Sequence, residues 1–291
     1  MEVKHTLAFL GTGASCGVPS FYCGCIACEE ALANPKAARG CASILISGTE
    51  NTLIDTSPEL RLQLSHAGVS DIARVLITHA HFDHVGGIPQ LEFYVKLKTG
   101  SPIPIYAGAE AAAAIKQQFG FMLDTLEINC IDDGGQTLTF EAAQGNGSCV
   151  LHSTKEPSLC AAALTFDGVA YTPLPAKHAK GTFGFLIETT ATRLAYFPDT
   201  GPLDPSVLEQ LHDLDYLIID ATFSGSNWMP QSHLSIDEAI ELSQKVGARV
   251  TYLTHLAMHY DTPITLAQLE EKLKPYEGSI QIPFDGLTIE I

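Results

Sequence analysis

Short apolar runs alternate with turn residues along the chain, and this pattern predicts most of the secondary structure. Brief runs rich in β-branched and aromatic residues predict strands over 6–10, 43–47, 52–54, 75–78, 103–106, 183–188, 194–197, 216–219 and 250–253. Apolar residues at helical spacing predict helices over 58–66, 109–119, 205–211, 236–246 and 266–273, the first of them with Ser57 as its N-cap. The segment 128–176 is expected to be strand-like and rich in turns.

The order of these elements predicts the fold class. Strands and helices alternate in both halves, which favours an α/β (α+β) protein with two sheets face to face and helices outside them. This four-layer αββα sandwich would span residues 1–291 as a single domain, because the sequence shows no linker and no short-period repeat. Residues 16–41 would form a cysteine-bearing excursion from it.

Composition narrows the expected partners. Of the 291 residues, 46% are apolar and 17% are charged, so a sizeable core is expected. Lys and Arg total 16 against 33 Asp and Glu, and the resulting net charge of −17 repels polyanions. We therefore expect a small substrate rather than nucleic acid. The sequence has neither a signal-peptide shape nor an apolar run of membrane-spanning length, which predicts a cytoplasmic protein without a membrane partner.

The run T-H-A-H-F-D-H is the strongest chemical signal in the chain. It places His79, His81, Asp83 and His84 directly after a predicted strand and before two glycines. A strand that ends in a tight loop can aim several side chains at one point. Imidazole and carboxylate ligands suit zinc, manganese or iron rather than calcium. Four such groups within six residues are too densely spaced to surround one tetrahedral ion, so two adjacent ions are expected.

A site with two ions needs more ligands, and three polar residues occupy suitable positions. His178 precedes the strand predicted at 183–188, Asp199 follows the strand at 194–197, and His255 follows the strand at 250–253. Polar groups at strand ends are where sites form at one edge of a sheet. Together with the histidine-rich run, these three residues complete a candidate ligand set.

The cysteines suggest a second metal site. Eight cysteines in a chain without an export signal indicate free thiols or metal ligands rather than a disulfide framework. Cys23, Cys25 and Cys28 form C-x-C-x2-C, a spacing that suits a structural tetrahedral zinc with one further ligand. His259 is the best candidate for that ligand, with Cys16 and Cys41 as rivals. The others, Cys130, Cys149 and Cys160, are expected to be buried thiols, with a Cys149–Cys160 pairing left open.

The histidine-rich run followed by His178, Asp199-Thr200 and His255 resembles the metallo-β-lactamase superfamily over almost the whole chain. The resemblance implies two active-site metal ions and a bridging hydroxide as nucleophile. One metal would be held by His79, His81 and His178, the second by Asp83, His84 and His255, with Asp199 bridging them and Asp55 supporting the metal loop. Such a pair of ions suits phosphodiester hydrolysis.

A narrower resemblance is carried by Leu10-Gly11-Thr12-Gly13, Gly17-Val18-Pro19 and the three-cysteine motif. Together they are similar to the PhnP family of phosphodiesterases, which combines a structural zinc with a dinuclear site. The resemblance implies a small or cyclic phosphodiester as substrate and allows a homodimer. It also implies that His233 is catalytic, protonating the leaving alkoxide or stabilising phosphoryl charge, and Asp83 is the other expected catalytic residue.

Other interpretations stay open at this point. A tRNase Z-like endoribonuclease shares the L-G-T start and the histidine-rich run, but its substrate fits poorly with so acidic a chain. A PqqB-like cofactor-biosynthesis protein shares the cysteine loop, although that family usually departs from the full run seen here. A non-hydrolytic binding protein is the remaining alternative, which the complete ligand set argues against.

Overall fold

The computed structural model describes residues 3–131, 137–138 and 163–291. Its strands, in chain order, are β1 (Thr6–Gly11), β2 (Ser43–Ser47), β3 (Asn51–Ile54), β4 (Arg74–Ile77), β5 (Ile103–Gly108), β6 (Leu126–Ile131), β7 (Thr137–Leu138), β8 (Leu164–Phe166), β9 (Val169–Pro175), β10 (Phe183–Glu188), β11 (Arg193–Phe197), β12 (Tyr216–Asp220), β13 (Val250–Thr254), β14 (Ile280–Gln281) and β15 (Thr288–Glu290). The Cys149–Cys160 pairing left open above, and most of the turn-rich segment predicted over 128–176, lie outside the described residues.

The α-helices are shorter on average than the pattern predicts. They are α1 (Ile26–Ala33), α2 (Leu60–His66), α3 (Phe82–Val85), α4 (Leu91–Tyr94), α5 (Ala109–Gln118), α6 (Pro205–Leu208), α7 (Ile236–Val246) and α8 (Leu266–Leu273). Short 3₁₀ helices cover Ile88–Gln90, Gly120–Thr125 and Lys274–Tyr276, and a π-helical turn covers Val95–Thr99. No helix in the described part of the chain combines the length and apolar character needed to cross a bilayer.

Two mixed sheets pack face to face. In the described residues the first sheet has the strand order β15-β1-β2-β3-β4-β5-β6-β7, and the second has the order β14-β13-β12-β11-β10-β9-β8. Buried side chains such as Phe9, Tyr171 and Tyr196 fill the layer between them. Two further apolar clusters lie on the outer faces, one under α2 to α5 and one under α1 and α6 to α8. The predicted four-layer αββα sandwich is confirmed.

Local sequence explains where the best-defined helix begins and ends. The Ser235 side chain accepts a hydrogen bond from the Glu238 amide, and Glu238 bonds back to the Ser235 amide, which forms a capping box at the start of α7. Gly247 ends the helix in the left-handed region at φ 71°. The bounds predicted for this helix agree with those observed.

The start of α2 differs from its prediction. Ser57 does not cap the helix, which begins at Leu60 with Glu59 in the capping position. Ser57 instead receives the Glu59 amide on its hydroxyl and the Leu60 amide on its carbonyl oxygen, so it closes a turn before the helix. Gly87 packs so tightly against this turn that a Cβ atom would collide with the Ser57 carbonyl oxygen. Glycine is required at this position because of the close packing, not because of an unusual backbone conformation.

Candidate metal centre

The predicted ligands converge because parallel strands end at one edge of the sandwich. Strands β3 and β4 run parallel in the first sheet, and β11, β12 and β13 run parallel in the second. His79, Asp199 and His255 each follow one of these strands directly or within two residues. Carboxyl ends of parallel strands are where ligand sites form in such sheets. The edge therefore gathers side chains that are up to 176 residues apart in sequence, from His79 to His255.

Three groups of candidate ligand atoms share the Asp199 carboxylate, and two of them consist of the ligands predicted from the sequence. The nitrogens of His79, His81 and His178 lie with an Asp199 oxygen within 4.8 Å of one another. A second group, also within 4.8 Å, is formed by Asp83, His84, Asp199 and His255. All seven metal ligands predicted from the sequence are thus brought together. Only Asp199 belongs to both groups, which is the position expected of a bridging ligand.

Asp199 is the centre of the cluster. Its Oδ2 lies 3.2 Å from Nε2 of His79 and 3.2 Å from Nε2 of His84. Its Oδ1 lies 2.8 Å from Nε2 of His255, and Oδ2 lies 3.5 Å from Nε2 of His178. A carboxylate surrounded by imidazole nitrogens on both oxygens can serve two cations at once.

The donor set fits metal ions. The Nε2 atoms of His79 and His84 are buried and have no hydrogen-bond partner, although both point into the cluster. Burying a polar atom without a partner costs on the order of 1–3 kcal/mol, so such atoms need an explanation. Imidazole and carboxylate ligands in groups of four suit divalent zinc or manganese. Coordination to a divalent ion would satisfy both nitrogens.

The protonation of the cluster follows its charges and burial. Burial lowers the pKa of His79 and of His178 to about 4, which keeps both rings neutral and able to bind a metal. Burial also works against the charged form of His255, but the Asp199 carboxylate outweighs it and raises the pKa of His255 to about 10. The surrounding histidines hold the pKa of Asp199 well below its usual range despite burial, so the carboxylate stays ionised.

Hydrogen bonds behind the ligands orient them. Nδ1 of His84 lies 2.8 Å from Oδ2 of Asp55, and the Thr78 amide donates to Oδ1 of the same carboxylate. Asp55 is buried and adopts a left-handed backbone conformation, φ 65°, directly after β3. Nδ1 of His79 lies 3.0 Å from the Thr78 hydroxyl. The structure therefore places Asp55 behind the metal loop, at the position that the resemblance implies.

A second buried carboxylate was missed by sequence reasoning. Asp220 ends β12 and accepts a bond from Nδ1 of His233 at 2.7 Å. It also accepts bonds from the Thr200 and Thr222 amides. The Thr222 hydroxyl in turn lies 2.8 Å from Nδ1 of His255. The signal was available, because Asp220 follows an apolar strand in the same way as Asp199 does.

His233 lies in contact with the ligand rings. It is buried, and its ring stacks on His255 with centroids 5.3 Å apart and an interplanar angle of 12°. Its ring also meets His178 edge to face at 4.6 Å. Because Nδ1 is engaged by Asp220, Nε2 is the atom left for a bound substrate. His233 does not cap α7, since Ser235 performs that role.

A cavity of about 200 Å³ opens over the cluster. The described residues that line it are Ser15, His81, Asp83, His178, Asp199, Thr222, Phe223, Trp228, Met229, His233, His255 and Tyr260. Neither Lys nor Arg occurs among them. An anionic substrate in this cavity would therefore depend on bound cations and on histidines for charge neutralisation.

The thiols form a separate cluster about α1. The sulfur atoms of Cys23 and Cys28 and a nitrogen of His259 lie within 4.8 Å of one another. Nε2 of His259 is buried without a hydrogen-bond partner, as expected for a ligand atom. Cys25 lies outside this group. Burial is the largest single influence on its pKa and raises it, but hydrogen bonds from Cys23 and from the backbone amides of Cys28 and Ala27 together outweigh burial and lower the pKa.

The two rival thiols lie elsewhere. Cys16 is exposed, and its sulfur lies 3.6 Å from the Tyr260 hydroxyl. Cys41 is buried, its thiol contacts the Ser15 carbonyl oxygen, and burial raises its pKa strongly. Among the described residues His259 is the group that joins the Cys23–Cys28 pair, in agreement with the preferred choice made from the sequence.

Comparison with known proteins identifies the family. The model of the β-lactamase superfamily domain matches residues 50–256, which include the complete histidine–aspartate ligand set. The chain belongs to the metallo-β-lactamase superfamily. The resemblance seen in the sequence is confirmed, and the fold is that of a metal-dependent hydrolase superfamily whose members differ widely in substrate.

Curated relatives in this superfamily have different activities. A ribonuclease Z of Pyrobaculum calidifontis is 25% identical over 315 residues, covering 98% of each protein. An octanoyltransferase of Porphyromonas gingivalis is 42% identical over only 82 residues, which are 28% of this chain. The chain spans just 17% of that relative's length. Sequence similarity alone therefore does not select a substrate.

Solved structures show the same fold over nearly the full length. A diphosphatase from the PhnP family has a TM-score of 0.77 at 24% identity, with 99% of this chain and 97% of that chain covered. Zn²⁺-bound PqqB from Methylobacterium extorquens has a TM-score of 0.70 at 20% identity, with 98% and 100% covered. Both likenesses concern the architecture of this metallo-β-lactamase superfamily member.

Proposed function

We propose that this protein is a metal-dependent phosphodiesterase that hydrolyses a small or cyclic phosphodiester. The observation that carries the proposal is the position of Asp199, shared by two four-residue ligand groups beneath a cavity of about 200 Å³. Two groups with one shared carboxylate would hold two divalent ions, zinc or manganese. The architectural likeness to a PhnP-family diphosphatase supports hydrolysis of a phosphate compound.

The cavity's own groups are suited to an anionic diester. Two divalent ions, when bound, neutralise phosphoryl oxygens and activate water for attack on phosphorus. Asp83 and Asp199 hold negative charge at the floor of the cavity and so favour cations there. The phosphodiester of a small molecule fits a cavity of about 200 Å³. A folded RNA would meet a chain with net charge −17.

His233 is placed to complete the reaction. Its Nδ1 is held by the Asp220 carboxylate at 2.7 Å, which orients the ring and leaves Nε2 on the cavity side. A histidine so held can donate a proton to the departing alkoxide, the group that otherwise leaves as a strong base. Asp220 acts through His233 and through Thr222, which orients His255.

The thiol cluster would hold a third ion with a structural role. Cys23, Cys28 and His259 supply three ligands of a tetrahedral zinc, and the adjacent Cys25 sulfur would complete it. His259 lies four residues after His255, so a zinc at this position would fix the N-terminal excursion beside the catalytic edge.

Substrate turnover tests the proposal directly. We expect the metal-loaded protein to hydrolyse bis(p-nitrophenyl) phosphate and a five-membered cyclic phosphodiester, and to leave a tRNA precursor intact. His81→Ala should abolish the first two activities. His212→Ala is the matched control, because His212 is an exposed histidine outside the ligand groups. Cleavage of the tRNA precursor with no turnover of small diesters would replace this proposal with a ribonuclease.

A further inference from the structure

Three aromatic rings form one wall of the cavity, and we call Phe223, Trp228 and Tyr260 the aromatic ledge. The Trp228 ring lies 5.0 Å from Phe223 and 6.2 Å from Tyr260, measured between centroids. Phe223 and Tyr260 are 5.8 Å apart, so the three rings contact one another. Phe223 is buried, whereas Trp228 is 57% exposed at the mouth of the cavity. The ledge thus runs from the interior to the open edge.

Hydrogen bonds hold the backbone on both sides of Trp228. The side chain of Asn227 donates to the His233 carbonyl oxygen and to Glu238 at the start of α7. The Asn227 side-chain oxygen accepts a bond from the Met229 amide at 2.9 Å. Because its two neighbours are tied in this way, Trp228 is exposed in a defined position. An exposed indole that is held in place and backed by two other rings offers a flat apolar surface to a ligand.

The ledge lies on the side of His233. The Phe223 ring is 6.1 Å from the His233 ring, with the two planes nearly perpendicular. His233 is the group assigned above to the departing alkoxide. The part of the substrate that carries the departing oxygen would therefore extend over Phe223 toward Trp228.

We propose that the ledge binds a planar, uncharged ring, such as a nucleobase, on the arm of the phosphodiester that carries the departing oxygen. This inference rests on the proposed function and narrows its substrate to a nucleoside cyclic phosphodiester. Bases stack on aromatic side chains through their π-faces, and the interaction is tolerant of base identity. The described lining residues include neither Lys nor Arg, so a second anionic group on this arm would be unpaired.

Fluorescence gives a test that does not require turnover. Trp228 is the only tryptophan in the sequence, so the intrinsic indole emission reports on the ledge alone. We expect 3′-AMP to change this emission saturably and ribose 5-phosphate, which lacks the base, to leave it unchanged. Excitation at the red edge of the indole band avoids adenine absorption, and free tryptophan amide supplies the baseline for collisional quenching. A response that is equal for both ligands, or absent for both, would overturn the inference.

Kinetics give the second test. The substrates are adenosine 2′,3′-cyclic phosphate and glycerol 1,2-cyclic phosphate, which share the five-membered cyclic diester and differ in the base. The measured quantity is kcat/KM for the adenosine substrate divided by kcat/KM for the glycerol substrate. In Trp228→Ala this ratio should fall on the order of tenfold, because KM for the adenosine substrate rises. Trp228→Phe should keep most of the ratio. Phe93→Ala is the control, since Phe93 is also exposed, at 65%, but lies outside the cavity.

The outcomes separate the two proposals. If wild-type protein hydrolyses both cyclic diesters and Trp228→Ala leaves the ratio unchanged, the ledge does not bind the base although the phosphodiesterase stands. If neither diester is hydrolysed, the proposed function fails, and the saturable response to 3′-AMP alone decides whether a base binds here. Circular dichroism of Trp228→Ala and Trp228→Phe shows whether either variant has lost its fold.

Discussion

The histidine–aspartate centre and the thiol cluster hold their candidate ligands in different ways. In the centre, four of the five imidazoles have a partner outside the ligand set on Nδ1: Thr78 for His79, Asp55 for His84, the Ser232 carbonyl for His178 and Thr222 for His255. In the thiol cluster, three of the four candidate ligands, Cys23, Cys25 and Cys28, lie within six residues of one chain segment, so proximity in sequence rather than strand topology brings them together.

The fold itself positions the ligands of the histidine–aspartate centre, whereas a bound ion would position those of the thiol cluster. Outer hydrogen bonds fix the orientation of metal-binding histidines and tune their affinity. The centre has these bonds because its ligands follow buried strands whose positions the sheets determine. The thiols lie on a chain excursion, so the bound ion itself would supply most of the order there. Substitutions in the two regions should therefore separate loss of chemistry from loss of stability.

The largest effect is expected at the shared ligand. Asp199→Ala removes the carboxylate common to both groups, so both ions should be lost, and diesterase activity should fall by about a thousandfold or more, since bound metals supply several kcal/mol of transition-state stabilisation. Metal analysis and steady-state kinetics measure both changes. Asp204→Ala, which removes an exposed carboxylate paired with Lys177, is the control. Full metal occupancy in Asp199→Ala would contradict the shared-ligand assignment.

The next effect separates proton donation from metal binding. His233→Ala should keep both ions but lower kcat for an alkyl diester by about 10²–10⁴-fold, the range for loss of a general acid. The loss should be much smaller for bis(p-nitrophenyl) phosphate, because p-nitrophenolate leaves without a proton. Comparing the two substrates by steady-state kinetics checks this expectation. An equal loss on both substrates would assign His233 to binding or charge stabilisation instead.

A smaller effect is expected behind the ligands. Asp55→Asn preserves the shape of the side chain and tolerates the left-handed backbone at this position, but it removes the charge behind His84. Metal affinity at the centre should fall about 10–100-fold. Competition titration with a chromogenic chelator measures it. Asp71→Asn, an exposed position bonded to Asn51, should leave affinity at the wild-type value.

The smallest effect on chemistry is expected in the thiol cluster. Cys25→Ser should lower zinc content by about one ion per chain and lower Tm by several degrees, because a structural zinc contributes folding free energy. The kcat of the molecules that remain folded should change little. Metal analysis, thermal unfolding and kinetics on one preparation test this, with the exposed Cys16→Ser as the control. An unchanged Tm together with unchanged zinc content would argue against a metal at this site.

The sequence predicts the fold, and which polar residues gather at one edge of it, for a shared physical reason. Apolar strands have clear bounds, and polar groups such as Asp199 and His255 stand out where those strands stop. The topology then brings them to one edge without further information. The start of α2 was predicted two residues early, because Ser57 uses its polar atoms in a preceding turn rather than as a cap.

What the sequence did not reveal depends on three-dimensional neighbours. Asp220 stands at the end of an apolar strand as Asp199 does, but its role as the partner of His233 is visible only where the fold places the two side by side. Cys25 fits the motif spacing as well as its neighbours do, yet its sulfur faces backbone amides at the start of α1. The aromatic ledge joins residues from two loops, and no sequence period marks it.

Both sheets contribute to the centre, and this has a mechanical consequence. His79, His81, Asp83 and His84 extend from the loop and the short helix α3 that follow β4, while His178, Asp199 and His255 extend from loops of the opposite sheet. An ion held among them would join the two sheets at one rim of the sandwich, in addition to the apolar core and to hydrogen bonds such as the one from the Phe183 amide to the Thr78 carbonyl oxygen. Catalysis and cohesion would then depend on the same few coordinate bonds.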